Sequence, residues 1–266
     1  MSVLALRLAG PLQSWAVGSR HRIRSTLPYP SKSGVIGLLA AAVGIPRGAS
    51  SAGEVHLADL TRLRMAVRVD QPGELLVDYQ TASGASHATQ DHAGQRLPTV
   101  DAKRLKVRES TKETRRYYRE DAIFTAYLEG DPGLLTHAAH ALQRPRYPLF
   151  LGRRSCPPSQ PVFLSFHHEA DVDHTLQHTR WQAAHHEINR FRATAQHTVQ
   201  LDTVIEDLAG TETLQDQPVA QAPPFRPQYT ERTIRHSHVT LPMPPRQRGE
   251  PDQPTPHPHD PFDLLD

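Results

Sequence analysis

The chain has 266 residues, which is enough for one sizeable hydrophobic core but short of two full-size domains. Its single cysteine excludes a disulfide framework and fits a reducing cytoplasm, and no run approaches the roughly 20 apolar residues of a membrane span. A net charge of +2 does not by itself indicate a nucleic-acid ligand, so the distribution of the charges is what matters.

The first predicted element is a strand at residues 3–8, where Leu4, Leu6 and Leu8 alternate with other side chains. A strongly apolar helix is predicted from Ser31 to Gly44, because a serine cap opens the segment and a glycine closes it. Alternation then predicts strands at 63–69 and 75–79. A Pro-Gly turn at residues 72–73 should join these two strands as an antiparallel pair.

Residues 83–119 contain little core material and are predicted to form an insertion that projects from the domain. Order resumes with a strand at 122–128, a helix that starts at Asp131 and Pro132, and a short strand at 161–166. Strand, helix, strand, strand, insertion, strand, helix, strand is close to a split βαβ layout. We therefore predict an α+β fold with a ferredoxin-like (RRM-like) domain over residues 1–168.

The remainder of the chain gives weaker signals. A helical stretch near 175–182 and β-like runs at 198–205 and 235–241 predict a small C-terminal subdomain over residues 169–241. Residues 242–266 contain eight prolines, several acidic residues and few apolar ones, which is typical of a disordered tail.

The strongest local signal for a ligand is the charge of the insertion. Residues 96–119 carry nine basic residues against three acidic ones, with Tyr117 and Tyr118 among them. Phosphates need positive charge and unpaired bases need flat faces, so this pattern favours single-stranded nucleic acid. A solvated surface hairpin with incidental charges is the alternative.

Two further basic groups add to this signal. One contains Arg22 and Arg24 and precedes the predicted helix, whose first amides together with Lys32 and Ser33 could bind an anion, although capping alone also explains the serines. The other is a proline-flanked segment, residues 145–157, in which Gly152 could allow close backbone approach to a ligand and adjacent arginines could contact phosphates. A rigid turn is its alternative. The candidates for RNA contact are thus Arg22, Arg24, Lys32, Ser33, Lys103, Arg104, Lys106, Arg108, Arg115, Arg153 and Arg154.

Seventeen histidines invite a metal or ribonuclease interpretation. Residues 167–174 contain ligand types but no HExxH pattern and no Cys/His pairing, so polar surface is the simpler explanation, and no cofactor is predicted. The segment 30–34 resembles the end of a phosphate-binding loop but lacks the upstream glycine. A metal-independent ribonuclease would need a general base, for which His87, His92 and Lys103 are candidates on composition alone.

Five motifs in this order resemble the CasD family of subunits of the type I-E CRISPR complex Cascade. They are LAGPLQSW at residues 8–15, YPSKSGVIGLLAA at 29–41, DYQT at 78–81, YREDA at 118–122 and PRYPLFLGRRSCP at 145–157. The resemblance extends over residues 3–166, is weak between 170 and 240, and does not cover the tail.

This resemblance implies a ferredoxin-like domain with an inserted basic β-hairpin thumb at about 83–119 and a small C-terminal β part. It implies a subunit that caps one end of the complex, holds the 5′ handle of the CRISPR RNA, contacts the backbone and large subunits and affects target DNA indirectly. The start of the helix at Lys32 and Ser33 and the loop at Arg153 and Arg154 would face the handle. A separate subunit cuts precursor RNA in this subtype, so we expect binding without catalysis, with an endoribonuclease as the alternative.

Overall fold

The computed structural model describes residues 1–16, 22–83, 111–194, 196–222 and 227–245. The strands in these ranges are Ser2–Ala9 (β1), Leu12–Gln13 (β2), Ile23–Arg24 (β3), Ser51–Ala52 (β4), Val55–His56 (β5), Arg64–Gln71 (β6), Glu74–Ser83 (β7), Thr111–Glu120 (β8), Ile123–Gly130 (β9), Phe163–His167 (β10), Thr198–Glu206 (β11), Glu212–Pro218 (β12) and Tyr229–Pro242 (β13). The helices are Lys32–Val43 (α1), Leu57–Thr61 (α2), Pro132–Gln143 (α3), Val172–His178 (α4) and His185–Ala193 (α5). None of these helices has the length and apolar character that a bilayer span requires.

Seven strands form the main sheet, in the order β10-β1-β9-β6-β11-β13-β12. All neighbouring pairs are antiparallel. β6 pairs with β11, and Val67 is in register with Val204. The two halves of the chain therefore share one continuous sheet, and the mixed helix and antiparallel-strand composition agrees with the predicted α+β class.

The sheet lies between two hydrophobic cores. Leu4, Leu6 and Leu8 of β1 belong to the core beneath α1 and α3, whereas Val3 and Ala5 belong to the core beneath α4 and α5. The predicted alternation of β1 is confirmed, because successive side chains of a strand point to opposite faces. Both faces are buried, however, so β1 is a central strand and not a half-exposed one.

Helix α1 is built as its end signals predict. The Ser31 hydroxyl accepts a hydrogen bond from the amide of Gly34, and Gly44 ends the helix at a φ of +95° with its N–H donating to the carbonyl of Ala40. Only a residue without a Cβ adopts that left-handed conformation freely. The apolar side chains of α1 pack on the sheet.

The predicted strand at 75–79 forms as part of β7, but its predicted partner is wrong. β7 pairs with β8 over the whole of its length, and β2 and β3 pair with the other edge of β8. Gly73, at a φ of +61°, turns the chain out of the main sheet, and β11 occupies the position beside β6. The insertion therefore includes residues 74–83 as one strand of a ribbon.

The C-terminal region does not form a separate sheet in the part of the chain that the structure describes. β11, β13 and β12 extend the main sheet, because β11 forms backbone hydrogen bonds with the edge of β6. Near the tail, the amide of Met243 donates to the carbonyl of His197 at 2.9 Å. Residues 246–266 lie outside the described ranges, so their disorder stays a prediction.

Candidate nucleic-acid interface

An open groove runs along the outer side of α1. It consists of two adjoining cavities of about 1070 and 370 Å³ that share lining residues from α1, the 145–154 segment and β13. Gly37, Ala40 and Ala41 form its floor, and Tyr147 and Tyr229 stand in its walls. A floor of small residues between aromatic rings leaves room for flat ligands.

Two glycines one turn apart on α1 have different roles. A Cβ added at Gly34 would lie 2.8 Å from the Trp15 ring, so this glycine is required by packing. A Cβ added at Gly37 would meet nothing within 4 Å. Gly37 is exposed in the middle of an otherwise largely buried helix, and it keeps the groove open without serving the core.

The 145–154 segment is fixed to the domain by backbone contacts. The amide of Tyr147 donates to the carbonyl of Ala41 at 3.2 Å, and the amide of Ser14 donates to the carbonyl of Leu151 at 3.1 Å. Gly152 has a φ of +89°, and a Cβ there would overlap the carbonyl of Ser14. The close approach predicted for Gly152 is therefore made to the protein's own backbone, and it positions the arginines that follow.

Arg153 connects this segment to the β7–β8 ribbon. Its guanidinium lies 4.7 Å from the ring centroid of Tyr118, and Nη2 donates to the carbonyl of Arg24 at 2.9 Å. Nη1 is buried and has no hydrogen-bond partner among the described residues. Arg153 also lines the smaller of the two cavities, so its positive charge lies at the groove.

Tyr118 itself is held firmly in this contact. Burial acts to raise the pKa of Tyr118, but hydrogen bonds with Ser155 and Arg153 and the positive charge of Arg153 outweigh it, so that the pKa is lowered. The lowering reflects the contact of the phenol with the Arg153 guanidinium. Tyr118 and Arg153 fix each other's orientation at the junction of ribbon and groove.

The other predicted contacts are divided between the groove and the ribbon. Ser33 and Arg154 line the groove. On the ribbon, Arg115 lies 5.8 Å from the Tyr79 ring centroid, and Arg22 is 3.7 Å from Glu113 in an exposed pair. Lys103, Arg104, Lys106 and Arg108 lie outside the described residues.

The chain is similar to known proteins in sequence and in fold. The sequence model of the family described as CRISPR-associated protein (Cas_Cas5) matches residues 3–237. This chain belongs to the CRISPR-associated Cas5 family. A curated relative, the CRISPR system Cascade subunit CasD of Escherichia coli strain K12, is 36% identical over 179 residues, which are 66% of this chain and 75% of the relative.

Two solved structures show the same fold as this Cas5-family chain. A chain of a "CRISPR RNA-guided surveillance complex" is 32% identical, with a TM-score of 0.65 and coverage of 90% of this chain and 91% of that one. A structure titled "Crystal structure of Cas protein" is 33% identical, with a TM-score of 0.59 and coverage of 91% and 95%.

One candidate of the Cas5-family chain, Lys32, is not placed as its sequence context predicts. Lys32 is 1% exposed, and its ammonium donates to both carboxylate oxygens of Glu206 at 2.8 and 2.9 Å. Burial lowers the pKa of Lys32, and the charge of Glu206 opposes that lowering. The ammonium is neutralised within the protein, so it is not available to a phosphate.

The amide at the start of α1 is also bound by a side chain of the protein itself. The amide of Lys32 donates to Asp216 Oδ2 at 2.6 Å, and Arg232 donates to the same carboxylate at 2.5 and 3.0 Å. Asp216 is fully buried. The anion at this helix terminus is the protein's own carboxylate from β12, and not the external anion that the sequence suggested.

The histidine-rich segment lies away from the groove. His174 and His178 stack with centroids 4.0 Å apart, and His167 has its pKa lowered by burial and by the nearby His174. Among the described residues, no three His, Cys, Asp or Glu side chains are grouped so that they could hold a metal ion.

Sequence reasoning missed Gly37, Tyr147 and Tyr229 as groove residues. Gly37 had one signal, because a glycine in the middle of an apolar helix costs stability and so points to a close approach or an open surface. Tyr229 had none, since its place beside α1 depends on long-range strand pairing.

Proposed function

We propose that this chain is the subunit of a Cascade-type surveillance complex that holds the 5′ handle of the CRISPR RNA. The observation that carries the proposal is the groove along α1, with Gly37 in its floor, aromatic rings in its walls and Arg153 and Arg154 in its lining. Family membership and the CasD relative support the same assignment.

The chemistry of the groove suits single-stranded RNA. Bases of an unpaired strand stack on aromatic side chains such as Tyr147 and Tyr229, and phosphates bind arginines such as Arg153 and Arg154. The small floor residues let a strand approach the backbone of α1. Arg24, whose carbonyl accepts from Arg153, extends the basic surface toward the ribbon.

The finer fold assignment belongs to the same proposal. β10-β1-β9-β6 is the strand order of a split βαβ unit, with α1 between β1 and β6 in the chain and α3 between β9 and β10. This order supports a ferredoxin-like (RRM-like) domain. The β7–β8 ribbon supports a projecting thumb, and residues 84–110, which connect its two strands in the sequence, lie outside the described ranges.

The groove favours binding over cleavage. Metal-independent RNA cleavage needs a side chain that takes up a proton near the phosphate, most often histidine or lysine. The described residues that line the groove include no His, Lys, Asp or Glu. The candidates of the endoribonuclease alternative, His87, His92 and Lys103, lie outside the described residues.

The purified chain is expected to bind a repeat-derived handle RNA more tightly than a scrambled RNA and to leave it intact. A 2′-deoxy substitution at the expected cut should change nothing after prolonged incubation, because no 2′-hydroxyl attack takes place. Fluorescence anisotropy measures the affinity, and denaturing gels measure the RNA length. A specific product that the 2′-deoxy substitution blocks would establish the endoribonuclease instead.

The basic residues of the predicted insertion are expected to contact phosphates. Joint replacement of Lys103, Arg104, Lys106 and Arg108 by alanine should flatten the slope of log affinity against log salt by about 0.7 for each lost contact, up to about 2.8. The melting temperature should barely change, because the predicted insertion contains little core material. An unchanged salt slope in RNA titrations would assign these residues to protein contacts.

The remaining expected partners are those of a subunit at one end of the complex. We propose contacts with the backbone and large subunits, an indirect effect on target DNA through the bound RNA, and a place in the cytoplasm. These assignments rest on the relation to CasD and not on a described contact.

A further inference from the structure

The proposed RNA site makes no use of the other face of the sheet, where α4 lies. An open cavity of about 600 Å³ is formed there by the end of β10, the turn after it and α4. Four histidines line it, which are His167, His168, His174 and His178. Imidazole is a common metal ligand in proteins, so this cavity has the type of side chain that a metal site needs.

Two of these histidines are placed so that they can share one ligand. His174 and His178 are four residues apart on α4, and residues with this spacing lie one turn apart on the same side of a helix. Their rings stack nearly in parallel, with centroids 4.0 Å apart and an angle of 19° between the planes. Two nitrogens bound to one tetrahedral zinc ion lie about 3.3 Å apart, so rings at this separation can reach one ion after small side-chain rotations.

The hydrogen bonding of His178 selects the tautomer that a metal requires. Its Nδ1 lies 2.8 Å from the carbonyl oxygen of His174. A carbonyl oxygen only accepts, so Nδ1 carries the hydrogen and donates it, and the lone pair of the neutral ring is on Nε2. Histidine ligands of metals almost always donate their second ring N–H to a carbonyl, a carboxylate or water. His178 therefore already makes the outer hydrogen bond of a metal ligand.

The other polar groups of the cavity favour a cation and limit the number of protein ligands. Glu169 and Asp171 line the same cavity and bring negative charge to it. Asp171 Oδ1 accepts from the amide of His174 at 2.7 Å, and Nε2 of His167 lies 2.8 Å from the Ser165 hydroxyl. Two protein ligands agree with the finding that no three side chains of the described residues are grouped for a metal.

We propose that His174 and His178 together bind a divalent transition-metal cation, with water in its remaining coordination positions. Imidazole nitrogen suits Cu²⁺, Ni²⁺ and Zn²⁺, whereas Mg²⁺ and Ca²⁺ prefer oxygen ligands. The affinity should follow the general order for such sites, in which Cu²⁺ is bound most tightly. Because α4 and α1 cover opposite faces of the sheet, this site is separate from the RNA groove and does not depend on the proposed function.

Isothermal titration calorimetry of the full-length chain without a histidine tag tests the proposal. Cu²⁺, Ni²⁺, Zn²⁺ and Mg²⁺ are titrated after bound metal has been removed with a chelator and the chelator by dialysis. Cu²⁺ should occupy one tight site, and His174→Ala and His178→Ala should each weaken it about tenfold or more, because a tethered second ligand acts at a high effective concentration. The double variant should lose little more than either single variant, since one imidazole alone does not chelate.

A matched control is the joint replacement of His137 and His140 by alanine, which removes two exposed histidines from another helix, α3. This variant should keep the Cu²⁺ affinity of the wild type. Alanine favours a helix at exposed positions, so all variants should fold, as thermal melts without metal will show. Electron paramagnetic resonance of the wild type with less than one equivalent of Cu²⁺ should show two imidazole nitrogens on the ion.

Unchanged Cu²⁺ affinity in His174→Ala and His178→Ala would overturn the proposal. Binding of Mg²⁺ as tight as that of Cu²⁺ would also overturn it, because Glu169 and Asp171 would then be the ligands. An equal loss in the α3 control would show that Cu²⁺ binds to surface histidines in general and would reject the site. Handle-RNA affinity, measured on the same proteins without metal, tests the proposed function separately.

Discussion

Replacement of Gly37 by leucine is expected to weaken handle-RNA binding by about 10- to 100-fold while it stabilises the protein. The leucine side chain would fill the floor of the groove and displace a stacked base, and such stacking contributes about 1–3 kcal/mol per base. Glycine in a helix costs about 0.5–1 kcal/mol relative to alanine, so its removal should raise the melting temperature by about 1–3 °C. A lower affinity together with a higher melting temperature would show that the site is blocked and that the fold is intact.

Two glycine variants serve as controls for this prediction. Gly37→Ala adds only a Cβ in open space, so it should raise stability and keep most of the affinity. Gly34→Ala places a Cβ 2.8 Å from the buried Trp15 ring, so it should lower the melting temperature. Anisotropy and thermal melting measure both properties on the same samples. Wild-type affinity in Gly37→Leu would place the RNA elsewhere on the protein.

Replacement of Asp216 by alanine is expected to cost about 3–5 kcal/mol of the free energy of unfolding, because it leaves a buried arginine without its carboxylate. The side chain of Arg232 is 4% exposed, and its remaining acidic neighbour, Glu206, is 3.9 Å away. The amide of Lys32 at the start of α1 would lose its acceptor as well. For a chain of this size the melting temperature should fall by about 6–20 °C.

An exposed ion pair provides the comparison for Asp216. Asp59 is 3.4 Å from Arg62, and both side chains are exposed, so Asp59→Ala should cost less than about 1 kcal/mol of the free energy of unfolding. Asp216→Asn keeps an oxygen that accepts hydrogen bonds. Its melting temperature should therefore lie between those of Asp216→Ala and Asp59→Ala. A change of under 2 °C in Asp216→Ala would mean that the buried charges are not coupled as the distances indicate.

The sequence predicted those parts of the fold that depend on neighbouring residues. The ends of α1 follow from Ser31 and Gly44, whose caps act within four residues of themselves. The strand β1 follows from the alternation of its side chains, which belong in turn to the two hydrophobic cores. The partner of β7 could not be predicted in this way, because the pairing of β6 with β11 joins residues more than 130 positions apart.

The candidate site was predictable to a similar degree. Arg153 and Arg154 stood out because they follow a glycine in a proline-rich segment, and they lie at the groove. Lys32 looked like an anion ligand because its position at a helix start favours negative charge. The carboxylates that satisfy it come from β11 and β12, and nothing near residue 32 reveals them.

The core beneath α4 and α5 also has a consequence for synthesis on the ribosome. It joins Val3 and Ala5 of β1 to Val239 and Leu241 of β13. At about 5–20 residues per second, some 10–50 s separate the emergence of these two ends. Throughout that interval one face of β1 and the open edge of β6 lack the strands and helices that later cover them. The nascent chain is therefore expected to need chaperone protection until β13 is made, and its yield is expected to depend on translation speed and growth temperature.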